Sequence, residues 1–367
     1  MDLFTPIQVG AFGLRHRIVM APMARARSGD DRAPTAMVAQ YYAQRASAGL
    51  IVTEASSVSP LSVSRPHASA IWHERHVAGW RLVTDAVHQA GGLIVQQLYH
   101  LGRKSDPSRM PDGALPVAPS AIAARGQVAG LNGPVEFAVP RPLATDEVPQ
   151  IAAEFRAAAV NARAAGMDGV EIHGANSYLI DQFLRDGTNR RDDRYGGSVQ
   201  NRARLLLEIA DAVIEVWGAD RVGLRISPHA RGDGIADSDP AAIFGHVAAA
   251  LTQRKLAYLH LIEAAAPGLP QSPTEGAQPL LPVIRRAFPG PLIVNGGYTR
   301  EAADRVTAAG AADLVAFAAL FIANPDLPER FRRNAPFNKP DLSSFHNGGA
   351  QGYIDYPTLD RAMAEGD

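Results

Sequence analysis

The chain has 367 residues, 46% of them hydrophobic, enough for a large apolar core in one domain or two. Its 36 basic and 37 acidic residues leave a net charge of −1, so no whole-chain field exists to hold a polyanion or an acidic membrane face, and we expect no nucleic-acid partner. The absence of cysteine excludes disulfides, thiolate metal sites and a thiol nucleophile. The longest apolar run, Leu314 to Ala323, falls short of the roughly 20 residues of a membrane helix, and Met1 to Pro6 shows no basic segment leading into an apolar one. These features predict a soluble, cytoplasmic protein with no membrane partner.

Taken in chain order, eight short runs rich in β-branched residues predict strands at Arg17 to Ala21, Leu50 to Ala55, Leu93 to His100, Gly169 to Gly174, Val222 to Ser227, Tyr258 to Ala264, Pro291 to Gly297 and Asp313 to Leu320. Between and after them, helical spacing predicts helices at Thr35 to Ala48, His76 to Ala90, Glu147 to Ala165, Gln200 to Trp217, Pro240 to Arg254, Leu281 to Phe288, Arg300 to Ala309 and Pro325 to Arg332. Most of the strands are apolar on both faces, which implies parallel pairing beneath helices. Eight such units in series fit a closed α/β fold, the (β/α)8 or TIM barrel, better than an open sheet, because no GxGxxG turn follows the first strand. The connections after the third, fourth and sixth strands are long (Leu101 to Asp146, Ala175 to Val199, Ala265 to Leu280) and would all stand at the C-terminal mouth. Ile7 to His16, with Gly10 and Gly13, reads as a hairpin plugging the opposite end. We expect one domain over 1–367, with an N-terminal cap at 1–16 and a C-terminal tail at 334–367.

Polar residues at strand ends are then the candidates for chemistry. The fourth strand runs into Glu171-Ile172-His173-Gly174-Ala175-Asn176-Ser177-Tyr178. An imidazole and an amide can both donate to one carbonyl oxygen, and a neutral phenol can protonate an adjacent carbanion. The bland alternative is that His173 and Asn176 satisfy the ends of a strand and loop while Tyr178 packs in the core. Arg225 lies in an apolar strand, where a guanidinium needs an anion or several acceptors. A ligand would supply them, as would an internal ion pair with Glu54 or Glu171. Gln97 raises the same question more weakly. Asn295-Gly296-Gly297-Tyr298 leads into a helix after the seventh strand, where barrels often hold phosphate, although double-glycine turns are common. His73-Glu74-Arg75-His76 has the wrong spacing for the HExxH zinc motif, and we expect no metal. Arg25, Arg27, Arg45, Arg190 and Arg191 read as solvated surface cations.

Several segments make the chain similar to the old yellow enzyme family of flavin-dependent ene-reductases: LFTPIQVG, RIVMAPM, QLYHLGR, GVEIHGANSYLIDQFLRDGTNRRDDRYGGS, VGLRISP, NGGYT, LFIANPDLPERF and QGYIDYPTL. The resemblance implies a barrel that binds FMN at its mouth, takes electrons from NAD(P)H and reduces the C=C bond of an enone or enal. Carried over residue by residue, it sets Pro22, Met23 and Ala55 along the flavin, Gln97 on its pyrimidine edge and Arg225 near N1 and the C2 oxygen. His173 and Asn176 would bind the substrate carbonyl and Tyr178 would supply the proton.

The departures from the family pattern are specific. Ala24 stands where a hydroxyl or thiol is usual, and Ala318-Ala319 stands where Gly-Arg usually holds the phosphate beside Gly296 and Gly297. Tyr99 replaces a frequent tryptophan, Ser177 a frequent glycine and His346 a frequent tyrosine, which makes Tyr99 and His346 candidates for an altered substrate pocket. The loss of the phosphate cation leaves open a relative that has lost tight flavin and uses His173, Asn176 and Tyr178 for redox-neutral carbonyl chemistry, as an isomerase, cyclase or lyase. A deazaflavin with a phosphodiester tail and a non-catalytic binding barrel are further alternatives. We expect a monomer or a homodimer.

Overall fold

The computed structural model describes residues 2–130, 133–230, 232–263, 279–346 and 348–360. Eight parallel strands form its centre: β1 (Ile18–Met20), β2 (Leu50–Val52), β3 (Ile94–Tyr99), β4 (Gly169–Gly174), β5 (Val222–Ile226), β6 (Tyr258–Ile262), β7 (Leu292–Asn295) and β8 (Leu314–Phe317). Each pairs with the next, β8 returns to β1 and β3 to β4, so the sheet is closed. Around it run α1 (Ala36–Ala43), α2 (Glu74–Gln89), α3 (Val148–Ala164), α4 (Leu179–Leu184), α5 (Val199–Trp217), α6 (Pro240–Arg254), α7 (Leu281–Ala287), α8 (Arg300–Ala308), α9 (Ala319–Ala323) and α10 (Leu327–Arg333).

The period of two along each strand sorts residues between helices and barrel interior. In β4, Val170 and Ile172 join the outer core under the helices, as do Leu224 and Ile226 of β5 and Leu259 and Leu261 of β6. The intervening residues, Glu171, His173, Gly223, Arg225, Tyr258 and His260, point inward. Towards the opposite end the interior is apolar. Val9, Phe12 and Leu14, from the antiparallel hairpin of Ile7–Val9 and Phe12–Leu14, pack with Val19, Leu50, Val95, Ile293 and Leu314 and close the barrel bottom, where the glycine-bearing segment was expected to sit. Gly223 is required by its neighbour: a Cβ there would stand 2.1 Å from Cζ of Tyr258, whose ring crosses the barrel over that backbone.

Element edges differ from the sequence reading in places. The eighth strand stops at Phe317, and Leu320 belongs to α9, because the chain turns at Ala318 (φ −102°, ψ −88°) straight into a helical turn. Helix α1 ends at Ala43, as Arg45 turns inward to the carbonyls of Phe321 and Ile322. The connection after β3 contains its own hairpin, Gln127–Gly130 with Gly133–Glu136, and the loop after β4 holds the six-residue α4; elements this short give no periodicity from which either could be read. Ala264 and most of the Ala265 to Leu280 connection, positions 264 to 278, lie outside the described residues.

The expectation that Arg25, Arg27 and Arg45 are solvated is overturned: all three are buried. Arg25 lies against the rings of Tyr41 and Tyr353 and donates to the carbonyls of Ser344, Phe345 and Gly352. Arg27 donates to Ser344 and Gly349. A guanidinium carries five donors, and here they satisfy backbone acceptors of the C-terminal segment, fastening it across the start of the chain. Arg191 is likewise engaged, with Asp193, Pro119 and Leu143, whereas Arg190 is exposed.

Candidate active site

The inward positions of β3 to β7 build a polar layer beneath the C-terminal mouth. In the ladders His173 stands opposite Arg225, Arg225 opposite His260, and Glu171 opposite Gln97. Gln97 Nε2 donates to Glu171 Oε1 at 2.6 Å, and His260 Nδ1 lies 2.9 Å from Glu171 Oε2. Burial pushes the Glu171 carboxyl up, but His260, Arg225 and Gln97 outweigh it and hold the group below the ordinary carboxylate value. Burial lowers His260, with Arg225 adding to the effect against Glu171. The pair is therefore an ionised carboxylate accepting from a neutral imidazole, and its negative charge faces the Arg225 cation.

Arg225 is 5% exposed, and burial brings it down to about 10, which leaves it charged at neutral pH. Its Nη2 donates to Asn295 Oδ1 at 2.7 Å, and Asn295 in turn donates to the carbonyl of Ala316. The ion pair with Glu54 or Glu171 considered from sequence does not form: Glu54 accepts the backbone N–H groups of Arg25 and Ala26, and Glu171 is occupied as above. Gln97 reaches Glu171 through its amide nitrogen and so bridges β3 and β4, the plain structural role open to a buried strand amide.

Asn176 and Tyr178 join His173 at the mouth side of this layer. The Asn176 Nδ2 and His173 Nε2 atoms are 3.3 Å apart, and the Tyr178 ring stands edge-on to the imidazole with centroids 5.2 Å apart. Asn176 and Ser177 take left-handed backbone angles (φ 59° and 62°), an arrangement braced by Ser227 Oγ accepting from Asn176 N and Asp181 Oδ2 accepting from Ser177 N. Asp181 is itself clamped by Arg185 at 2.8 Å. Burial, reinforced by Arg225, His260 and Lys104, holds His173 well below the ordinary imidazole value, so the ring is neutral at physiological pH. Tyr99 packs 5.5 Å from Tyr178 at the mouth. Lys104, not singled out from sequence, places Nζ 5.2 Å from the centre of the Tyr178 ring while paired with Asp233 at 2.5 Å. The loop that brings Lys104 there has no local signature, so only the fold reveals it.

Pro22, Met23, Ala24 and Ala55 are accessible between the buried neighbours Ala21, Arg25, Glu54 and Ser56, as residues facing an open mouth should be. His346 is exposed, its Nδ1 3.4 Å from Arg65 Nη1. Gly296, Gly297, Ala318 and Ala319 line a cleft of about 750 Å³ that opens over β6, β7 and β8. Among the described residues no cluster of His, Asp or Glu could hold a metal, and no helix is long and apolar enough to cross a membrane.

Residues 2–338 match the model of the NADH:flavin oxidoreductase / NADH oxidase family. The chain belongs to this family. It is 41% identical over 368 residues to 12-oxophytodienoate reductase 1 of Oryza sativa subsp. japonica, covering 100% of this chain and 95% of that protein. It is 42% identical over 362 residues to the "Probable flavin mononucleotide-dependent alkene reductase" of Leishmania infantum, with 97% of each chain covered. Among solved structures, morphinone reductase superposes with a TM-score of 0.93 at 45% identity (98% and 97% covered). The old yellow enzyme homologue of Zymomonas mobilis gives 0.95 at 43% identity (98% and 100% covered). The protein is thus a flavin-dependent oxidoreductase on a (β/α)8 barrel. The named relatives are reductases, which favours the redox reading over the isomerase, cyclase or lyase alternative.

The mouth fits a flavin. Arg225 Nε, His173 Nδ1 and His260 Nε2 are buried polar atoms without a hydrogen-bond partner among the described residues, the kind of orphan that a polar ring system bound at the mouth would relieve. A cation beside the N1 and C2 oxygen edge would stabilise the reduced, anionic ring. The ribityl end fits with a difference, since Ala319 supplies no charge.

Proposed function

We propose that this protein reduces the C=C bond of an α,β-unsaturated carbonyl compound, with FMN as cofactor and NAD(P)H as reductant. The observation that carries the reading is the pair of nitrogens, His173 Nε2 and Asn176 Nδ2, 3.3 Å apart beside the Tyr178 ring, with His173 paired to Arg225 in the strand register; in the Nε2–H tautomer of His173 both are donors. At that spacing one carbonyl oxygen can accept from both. Reduced FMN, when bound, supplies hydride to the β-carbon. His173 and Asn176 polarise the carbonyl and hold the negative charge that develops on its oxygen, and a neutral imidazole can donate without giving up its proton. Tyr178 gives its hydroxyl proton to the α-carbon, and Gln97 and Arg225 hold the pyrimidine edge of the cofactor. Tyr99 and the accessible Pro22, Met23, Ala24 and Ala55 shape the space around the reacting atoms, and His346 the outer rim. In support, a solved structure of morphinone reductase, 45% identical to this chain, is a complex with tetrahydroNAD.

Anaerobic titration tests the reading. Purified protein reconstituted with FMN should lose its visible flavin absorbance on adding NADPH or NADH and regain it stoichiometrically with 2-cyclohexenone. A protein that takes up FMN but is not reoxidised by any enone or enal would refute it.

A further inference from the structure

The resemblance drawn from the sequence implies an arginine after β8 where Ala319 stands, yet the cleft over β7 and β8 is lined by two other cations, Arg300 and Arg330. Arg330 is committed elsewhere. Its Nε bonds Asp326 at 2.8 Å, Nη1 the carbonyl of Pro336 at 2.6 Å and Nη2 that of Pro357 at 2.9 Å, so turning it toward a ligand would break an ion pair and two further hydrogen bonds. Arg300 is different. Its nearest counter-ion is Asp304 at 3.8 Å, beyond hydrogen-bond distance, and its side chain, 30% exposed, makes no hydrogen bond to a described residue.

Position completes the contrast. Arg300 is the first residue of α8, three residues beyond Gly297, and so projects from the strand-to-helix turn that forms the wall of the cleft facing Ala318 and Ala319. Thr299 caps that helix through its hydroxyl oxygen. Glu301, also in the cleft wall, is held low by its own backbone N–H and the Thr299 hydroxyl, so this wall already carries a carboxylate. A phosphate entering the cleft therefore needs a cation nearby, and among the described residues that line it the one with donors to give is Arg300.

We propose that Arg300 takes over the phosphate contact that the chain has lost after β8, so that FMN is read at its ribityl end from the β7 side of the cleft. The inference rests on the flavin reading above and concerns only how the phosphate is recognised. A charge-assisted contact of this kind corresponds to roughly ten- to a hundredfold in affinity.

The experiment is a fluorescence titration of flavin-free protein with FMN and with riboflavin, which share the ring and differ by the phosphate. Wild type should bind FMN about tenfold or more tighter than riboflavin. Arg300→Gln should bring that ratio close to one while leaving riboflavin affinity, and hence the folded ring site, unchanged. Arg300→Lys, which keeps the charge, should retain most of the preference. A wild-type ratio near one, a ratio unaffected by Arg300→Gln, or equal loss in the Gln and Lys variants would overturn the assignment while the flavin site stands. Failure of wild type to bind either flavin would overturn the flavin reading itself.

Discussion

Replacing Tyr178 by phenylalanine separates chemistry from binding. The ring packs 5.5 Å from Tyr99, 5.2 Å from the His173 imidazole and 5.2 Å from the Lys104 ammonium, and phenylalanine preserves all three contacts. No described residue hydrogen-bonds to the hydroxyl, so its removal leaves no stranded partner, and the variant should fold and bind flavin as wild type does. What is lost is proton delivery to the α-carbon. Removing a positioned general acid costs about 10² to 10⁴ in rate, equivalent to roughly 2.7 to 5.4 kcal/mol in the barrel's transition-state stabilisation. Stopped-flow absorbance resolves the halves: bleaching of FMN by NADPH should keep its wild-type rate, and return of colour with 2-cyclohexenone should slow by that factor. Equal slowing of both halves would mean that Tyr178 shapes the nicotinamide site as well, and an unchanged second half would remove it as the acid.

Two further predictions concern the scaffold. Gly223→Ala drives a methyl to 2.1 Å from the Tyr258 ring and should destabilise the fold by about 1 to 3 kcal/mol, seen as a lower melting temperature, because the buried ring has no free volume to enter. Glu154, on α3, accepts from Ser59 Oγ at 2.9 Å, and burial raises its carboxyl to about 7. Between the ordinary carboxylate value and pH 7 the folded state holds the extra proton, so this residue lowers stability as pH rises through that window. Glu154→Gln should flatten the fall, by about 1 kcal/mol between pH 5 and pH 8 after allowance for partial solvent screening, measured by denaturant unfolding at the two values. An identical pH dependence in the variant would refute it.

The alternation of apolar runs and helical segments by itself determined the barrel, because strands buried on both faces and joined by helices leave few ways to satisfy their backbones. The cluster within the six residues from His173 to Tyr178 was legible too, since residues so close in sequence at a strand end must share one rim. The glycine pair after β7 lines a cleft, together with Ala318 and Ala319. Contacts over long separation were hidden from the sequence. Arg25, Arg27 and Arg45 looked like surface charges until the fold brought C-terminal carbonyls to them from some 300 residues away. Asn295 as the partner of Arg225, His260 as the partner of Glu171 and Lys104 above Tyr178 depend on which strands and loops become neighbours when the sheet closes. Composition and periodicity act locally and decide what each segment becomes. The pairing of charges inside a closed barrel is settled by tertiary geometry, since a buried guanidinium or carboxylate must take whichever partner the ladder register sets within reach.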